Sequence, residues 1–514
     1  MSEAKPAGLT ARAIGVVHRL LLGLPPTRTA YTVERGLRVP TRDGAELVTD
    51  HYAPMDTAYG TVLIRTPYPR GLPESLLHGR MLAARGYHVL IQSVRGTGGS
   101  TGAFQPIAQE PADAQDVVAW LRTQPWFTGT LATLGGSYLG WTQWALLQDP
   151  PPELRAAVVL VGPHDFRRAI RGTGSLALAD FLGWSSAIAA QPHGIRAVVA
   201  ARRRVSTALS SRTPAGAVLG DDAPWFTEWL NHHDIDDPFW QPYNASSALR
   251  DTKIPVLLIG GWHDVFVDQT LEQYHRLREH NPDVALTVGP WTHMDTAVTA
   301  ARVVDPEALA WFDQHIAGAT PRRRSPVRVH VTGAGQWRSL PAWPPATTER
   351  VYGLDSTGRL TDSPGEGSVE FDYNPDDPTP SVGGRHMSAG AGRQDNQKLE
   401  QRADVVVFTS DPLPRDVEVF GAPRLRVDIG EPAPLFVRLC EVDSRGRSWN
   451  VTEAFTWFAG PGEIDLGQCA HRFRAGNRLR LQISGGAYPR YAANPEPARY
   501  SIACARAALT VPAS

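Results

Sequence analysis

Residues Gly135-Gly-Ser-Tyr-Leu-Gly140 set one hydroxyl among small neighbours, directly after the apolar run Leu131-Ala-Thr-Leu134 and before a stretch of good helix formers. A serine on so tight a strand-to-helix turn projects from the sheet edge, and the backbone N–H of the next residue, Tyr138, faces the same point. Ser137 is therefore a candidate nucleophile with an oxyanion donor beside it. A glycine turn that only joins strand to helix, or that cradles a phosphate on a helix N-terminus, has the same composition. The spacing also departs from strict G-x-S-x-G, because Leu139 stands where the last glycine would be and Gly140 follows one residue later.

A serine hydroxyl is a weak nucleophile near neutral pH, so a base must take its proton and a third group must hold that base in the right tautomer. Two downstream segments offer these groups. Ile259-Gly-Gly-Trp-His-Asp264 places an acid after one apolar run, and Val288-Gly-Pro-Trp-Thr-His293 places a histidine after the next. Loops beyond the carboxyl ends of parallel strands converge on one sheet edge. The chain order Ser137, Asp264, His293 is the one expected of an α/β-hydrolase. His263 is the weaker base candidate, since it sits on the acid's own turn. The chemistry would be acyl transfer, with activity falling as His293 becomes protonated on acidification. It needs neither metal nor organic cofactor.

These residues must be carried by a parallel sheet. The runs Gly60-Thr-Val-Leu-Ile-Arg65 and Tyr87-His-Val-Leu-Ile-Gln92 read as buried strands. Ala114, Val117, Val118 and Leu121 then recur at helical spacing before the strand at 131–134. Strand, helix, strand in this order implies a βαβ unit. After Ala156-Ala-Val-Val-Leu-Val161 about 80 residues lack strand-like runs and read as an inserted helical cap. Strands return at Ile254-Pro-Val-Leu-Leu-Ile259 and Ala285-Leu-Thr-Val288. Beyond residue 326 short alternating stretches separated by Gly, Pro and Asp indicate an all-β sandwich or jelly roll. The expected fold is an α/β-hydrolase domain with an inserted helical cap, followed by an all-β jelly-roll domain. The expected divisions are 1–30 (helical extension), 31–162 and 246–322 (hydrolase), 163–245 (cap) and 323–514 (jelly roll).

The sequence resembles the cocaine-esterase-like acyl esterases, which are related to X-Pro dipeptidyl-peptidases and α-amino-acid ester hydrolases. The resemblance rests on Gly136-Ser-Tyr-Leu-Gly140, whose glycine after Ser-Tyr-x follows the family spacing, on Trp262-His-Asp264 and on Gly289-Pro-Trp-Thr-His293. It extends through Arg65-Thr-Pro-Tyr68, Arg95-Gly-Thr-Gly-Gly-Ser-Thr-Gly102 and Trp311-Phe-Asp-Gln-His315. In the last domain it includes Gly335-Gln-Trp337, Phe408-Thr-Ser-Asp-Pro412 and Asn450-Val-Thr-Glu453. It implies that the Tyr68 hydroxyl is the second oxyanion donor, beside the N–H of Tyr138. Read without the resemblance, Tyr68 is a packing residue with a wet hydroxyl. Ser93 is a departure, since family members often carry an acid there.

Composition narrows the partners. The 514 residues suit about three domains at roughly 150 residues each. With 42% apolar and 20% charged residues the chain has ordinary globular composition. A net charge of −1 gives no field to gather nucleic acid or an anionic membrane. Three late cysteines, Cys440, Cys469 and Cys504, lie in no metal-ligand spacing and fit a reducing, cytoplasmic setting. The stretch Thr10–Leu24 is interrupted by Arg12, His18 and Arg19 and is too short for a membrane span; it reads as an amphipathic helix laid on the body, with membrane-surface docking or a poor signal sequence as the alternatives. Asn450-Val-Thr452 matches a glycosylation sequon and is expected to be coincidental. The expected partner is a small ester or amide, with no nucleic acid and no stable membrane insertion; a homo-oligomer stays open. Two other readings compete. One is a peptidase or amino-ester hydrolase that recognises an ammonium through acids such as Asp221, Asp222, Asp236 and Asp237. The other is a ligand-binding protein with a vestigial hydrolase domain.

Overall fold

In the computed structural model, residue 16 and residues 19–514 other than 57, 72, 73 and 298 are described. Much of the expected N-terminal helix at 10–24 lies outside them; residues 19–22 are helical, with Leu20 and Leu21 exposed. Among the described residues no helix is long and apolar enough to cross a membrane.

Ten strands form the first sheet: β1 (Tyr31–Pro40), β2 (Glu46–Pro54), β3 (Gly60–Thr66), β4 (Tyr87–Ser93), β5 (Leu131–Gly136), β6 (Leu154–Leu160), β7 (Val256–His263), β8 (Val284–Thr292), β9 (Val327–Val331) and β10 (Gln336–Leu340). Their order is β1-β2-β4-β3-β5-β6-β7-β8-β9-β10. From β4 to β9 every pairing is parallel, and antiparallel partners close both edges. Strands β3, β4 and β7 are buried along their whole length, as both faces of a parallel sheet are covered by helices. One cover is α1 (Glu110–Leu121), whose Ala114, Val117, Val118 and Leu121 face the core. Another is α2 (Tyr138–Leu147), buried at every residue and apolar except for Thr142 and Gln143, whose side chains are hydrogen-bonded internally.

Between β6 and β7 the described structure is helical, including α3 (Leu178–Ala190), Ile195–Ser210 and Pro224–Asn231. Its base is closed by a bridge between Asp165 and Asn244 and by the bond from Ala245 N to the His164 carbonyl (2.8 Å). The insertion thus leaves and rejoins the sheet at one point. After β7, α4 (Val267–Arg278) returns the chain to β8.

Beyond residue 340 the structure is antiparallel β. A seven-stranded sheet and a four-stranded sheet enclose a core that includes Phe408, Leu435, Leu481 and Leu509. This is a jelly-roll-like sandwich behind an α/β-hydrolase sheet. Residues 327–340 lie past the expected division at 322–323, yet β9 pairs with β8 in the hydrolase sheet. Val327, Val329 and Val331 are buried in alternation, so one strand face continues the hydrolase core.

Candidate active site

The turn after β5 explains the glycines around Ser137. Ser137 itself sits at φ 59°, ψ −122°, a strained conformation for a residue with a Cβ. Its N–H is held by the Leu160 carbonyl (3.0 Å). A Cβ on Gly135 would lie 2.4 Å from that of Leu139, and one on Gly140 would lie 2.5 Å from the Cα of Gly162. The displaced last glycine of the motif is therefore where α2 crosses the β6 exit backbone to backbone. Leu139 faces back onto Gly135.

The three separated segments meet here. His293 Nε2 is 2.9 Å from Ser137 Oγ, and His293 Nδ1 is 2.6 Å from Asp264 Oδ1. Asp264 is fully buried, and its other oxygen accepts from Phe266 N (3.0 Å). Burial pushes the Asp264 carboxyl above its usual range, while the bond to His293 and the backbone N–H groups pull it back. The Phe266 ring stands edge-on to the His293 imidazole at 5.3 Å. His263 points elsewhere, into a cavity between the two domains, so it is no rival base.

Tyr138 occupies the first position of α2, where a helix leaves its N–H without an intrahelical acceptor. Its hydroxyl is locked on the opposite side, donating to Glu110 Oε1 (2.8 Å) and accepting from Ile107 N (2.9 Å). Glu110 in turn pairs with Arg65 at 2.7 Å, all three side chains being buried. No sequence pattern points to Glu110, whereas its partner Arg65 belongs to the Arg-Thr-Pro-Tyr segment. Tyr68 is half-buried, and its hydroxyl accepts from Trp184 Nε1 of α3 (3.1 Å). Burial raises the Tyr68 phenol, with Trp184 and Ser137 pulling partway back, so the hydroxyl keeps its proton and can donate. Ser93 accepts from Arg70, whose Nε lies 3.4 Å from the Asp50 carboxylate on β2.

Aromatic side chains roof the site. Trp184 stacks on Tyr138 (6.1 Å, 12°) and on Trp229 (6.1 Å, 23°). Asp221, Asp222 and Asp236 are exposed, while Asp237 caps the following turn through Phe239 N (2.8 Å). A different acid, Asp180 on α3, is buried near the site. It accepts from Met387 N (2.8 Å) and is pushed up to about 6, chiefly by burial. Sequence gave no signal for it, because nothing in the local pattern separates it from a solvated helix residue.

The β domain holds the acid loop. Arg385, nearly fully buried, donates to the Trp262 carbonyl (3.2 Å), Asp268 (3.0 Å), Thr452 Oγ1 (2.9 Å) and the Gln468 carbonyl (2.6 Å). Glu453 accepts from Arg385 N (2.8 Å) and pairs with Arg438 (2.7 Å) and with Arg490. Asn450 is buried too, accepting from Gln394 N (2.7 Å) and donating to the Gly392 carbonyl (3.0 Å).

Residues 43–295 match the family model described as X-Pro dipeptidyl-peptidase (S15 family), and residues 320–459 match that of the X-Pro dipeptidyl-peptidase C-terminal non-catalytic domain. With the curated relatives, these matches make the chain a serine hydrolase that acts on esters. This hydrolase is 28% identical to cocaine esterase of Rhodococcus sp. (strain MB1 Bresler), over 90% of this chain and 92% of that one. Its fold is shared with an α-amino acid ester hydrolase (TM-score 0.79, 20% identity, 96% and 99% of the two chains). A CocE/NonD family hydrolase from Staphylococcus aureus shares it as well (TM-score 0.73, 17% identity, 94% of each chain).

Proposed function

We propose that this hydrolase cleaves acyl esters of small molecules through an acyl-enzyme on Ser137. His293 takes the serine proton, the alkoxide attacks the carbonyl carbon, and the Tyr138 N–H and Tyr68 O–H receive the negative oxygen. Collapse of the tetrahedral species expels the alcohol, protonated by His293; water, deprotonated by the same imidazole, then releases the acid. Asp264 holds the imidazole throughout. The observation that carries this reading is the continuous relay Ser137 Oγ, His293, Asp264, with gaps of 2.9 and 2.6 Å. Likeness to cocaine esterase over nearly the whole chain favours ester over peptide. The intact relay also speaks against a vestigial site, and three free buried cysteines fit a cytoplasmic setting.

A second reading, an amino-ester or X-Pro peptide substrate, is favoured by one observation. Asp180 is a buried carboxylate close enough to His293 and Asp264 to feel their charges. It is suited to a substrate ammonium. The deciding experiment labels the protein with a fluorophosphonate, then compares turnover of p-nitrophenyl acyl esters with that of an X-Pro anilide. Ser137→Ala should abolish labelling and lower turnover by several orders of magnitude with the fold intact. Undiminished esterase activity in that variant rejects the assignment, and faster cleavage of the anilide selects the second reading.

A further inference from the structure

A cavity of about 640 Å³ opens between the hydrolase sheet and the β domain, and none of the aromatic roof residues Tyr138, Trp184 and Trp229 lines it. Its volume is within the range that holds a small organic ligand. On the hydrolase side it is lined by His263, next to Asp264, and by Thr292 and Asp295, which flank His293. On the other side stand Arg393, Arg447, Arg474 and Trp449.

Most of the charge in this lining is already committed. Glu441 accepts from Arg474 N (3.0 Å), Asn477 (2.8 Å) and His471 (3.2 Å). Asp443 accepts from Arg447 (2.9 Å) and Trp449 Nε1 (3.2 Å), and Asp295 from Thr292 N (3.0 Å) and Thr292 Oγ1 (2.7 Å). The Arg474 guanidinium donates to the Gly333 carbonyl (2.7 Å). Among the described residues Arg393 alone of the three arginines has no hydrogen-bond or ion-pair acceptor. Its guanidinium lies over the Trp449 ring at 4.1 Å. Arg393 is an exposed residue at the cavity; partial desolvation lowers its basicity from the usual arginine value, the Glu441 and Asp443 carboxylates pull it back up, and Arg447 and Arg474 lower it further. His263 supplies a second, independent pointer: it is 7% exposed, lines the cavity, and its ring has no hydrogen-bond partner among the described residues. Burial and the nearby Arg385 push it down to about 4, so the ring is neutral at working pH.

We propose that this cavity is a second ligand site, taking a small organic carboxylate whose anion is held by the free fork of Arg393 and whose body faces Pro290, Ala334 and the His263 ring. One uncommitted cation matches a monoanion better than a dianionic phosphate. The apolar lining residues match an organic body. A Cβ on Gly392 would sit 3.0 Å from Thr292 Cγ2, so the Arg393 segment already rests on the residue before His293. An occupant would touch the backs of both catalytic loops.

Calorimetric titration of the full-length protein with benzoate, benzamide and inorganic phosphate tests this, and needs no turnover, so a failure of the Ser137 assignment would leave it untouched. Benzoate should bind and benzamide should not. Arg393→Gln, which gives up the contact over Trp449 but no hydrogen bond or ion pair, should weaken benzoate about 10-fold or more while lowering the melting temperature only slightly. Fluorophosphonate labelling should leave benzoate binding intact. The site is refuted if Arg393→Gln binds benzoate as wild type does, if labelling abolishes binding, if phosphate binds as tightly, or if no benzoate heat is seen.

Discussion

Tyr68 and Asp180 are the residues at which the chemistry can be probed most sharply. A phenol beside Ser137 that keeps its proton is an oxyanion donor only if its hydrogen matters more in the transition state than in the ground state. Tyr68→Phe is expected to lower kcat by about 100-fold with little change in KM, read by steady-state ester hydrolysis. A loss below about threefold would return Tyr68 to the packing role its sequence context suggests. For Asp180 the sign follows from a folded-state value raised to about 6, above the ordinary carboxylate. The folded state then holds a proton that the unfolded state has released, so this residue's contribution to stability declines as pH rises from about 4 to 6. Asp180→Asn, which keeps an acceptor for Met387 N–H, should melt higher than wild type at pH 8, and the gain should vanish near pH 4. An equal difference at both pH values would mean that burial of charge is not the cause. Ser137, Asp264 and His293 could be read from the sequence because each ends a strand-like run. Glu110 and Asp180 could not, since their roles come from neighbours about 28 and 207 residues away in the chain.

At the scale of elements, the six parallel strands carrying the site were legible as short apolar runs, and α1 as a repeat of three and four. The antiparallel strands β1 and β2 were not. They are edge structure with mixed burial on β1, which gives no periodic signal. The strand β9 lies past the expected division yet joins the hydrolase sheet, since alternating valines state that a strand exists but not which sheet it joins. The turn from β5 into α2 is the element whose local pattern most constrains its packing. Gly140→Ala would push a methyl group into the backbone of Gly162, a contact of 2.5 Å that only backbone movement can relieve. We expect it to cost about 1–3 kcal/mol in chemical denaturation and to lower kcat more than tenfold, because the same helix presents the Tyr138 N–H. Unchanged kcat would show that the turn tolerates a shift of α2.

Across the whole molecule, the β domain acts as a clamp on the acid loop and on the start of α3. Trp457 reaches Ser175 Oγ (3.2 Å), the Pro489 carbonyl accepts from Ala179 N (3.0 Å), and Arg385 grips the Trp262 carbonyl two residues before Asp264. Arg385→Met should therefore destabilise the full chain by about 2 kcal/mol or more and depress kcat beyond any change in KM. A normal kcat with reduced stability would make the clamp purely structural. The buried Asn450 amide has a consequence for how the protein can be made. Oligosaccharyl transfer in a eukaryotic secretory pathway acts on the nascent chain, before Asn450 is sealed beneath residues 392–394. A sugar attached there has no room in the finished structure. Secreted from yeast, the chain should carry a glycan at this position by mass spectrometry and be inactive, whereas material from a bacterial cytosol should be active; an active glycosylated product would contradict the packing described for that loop.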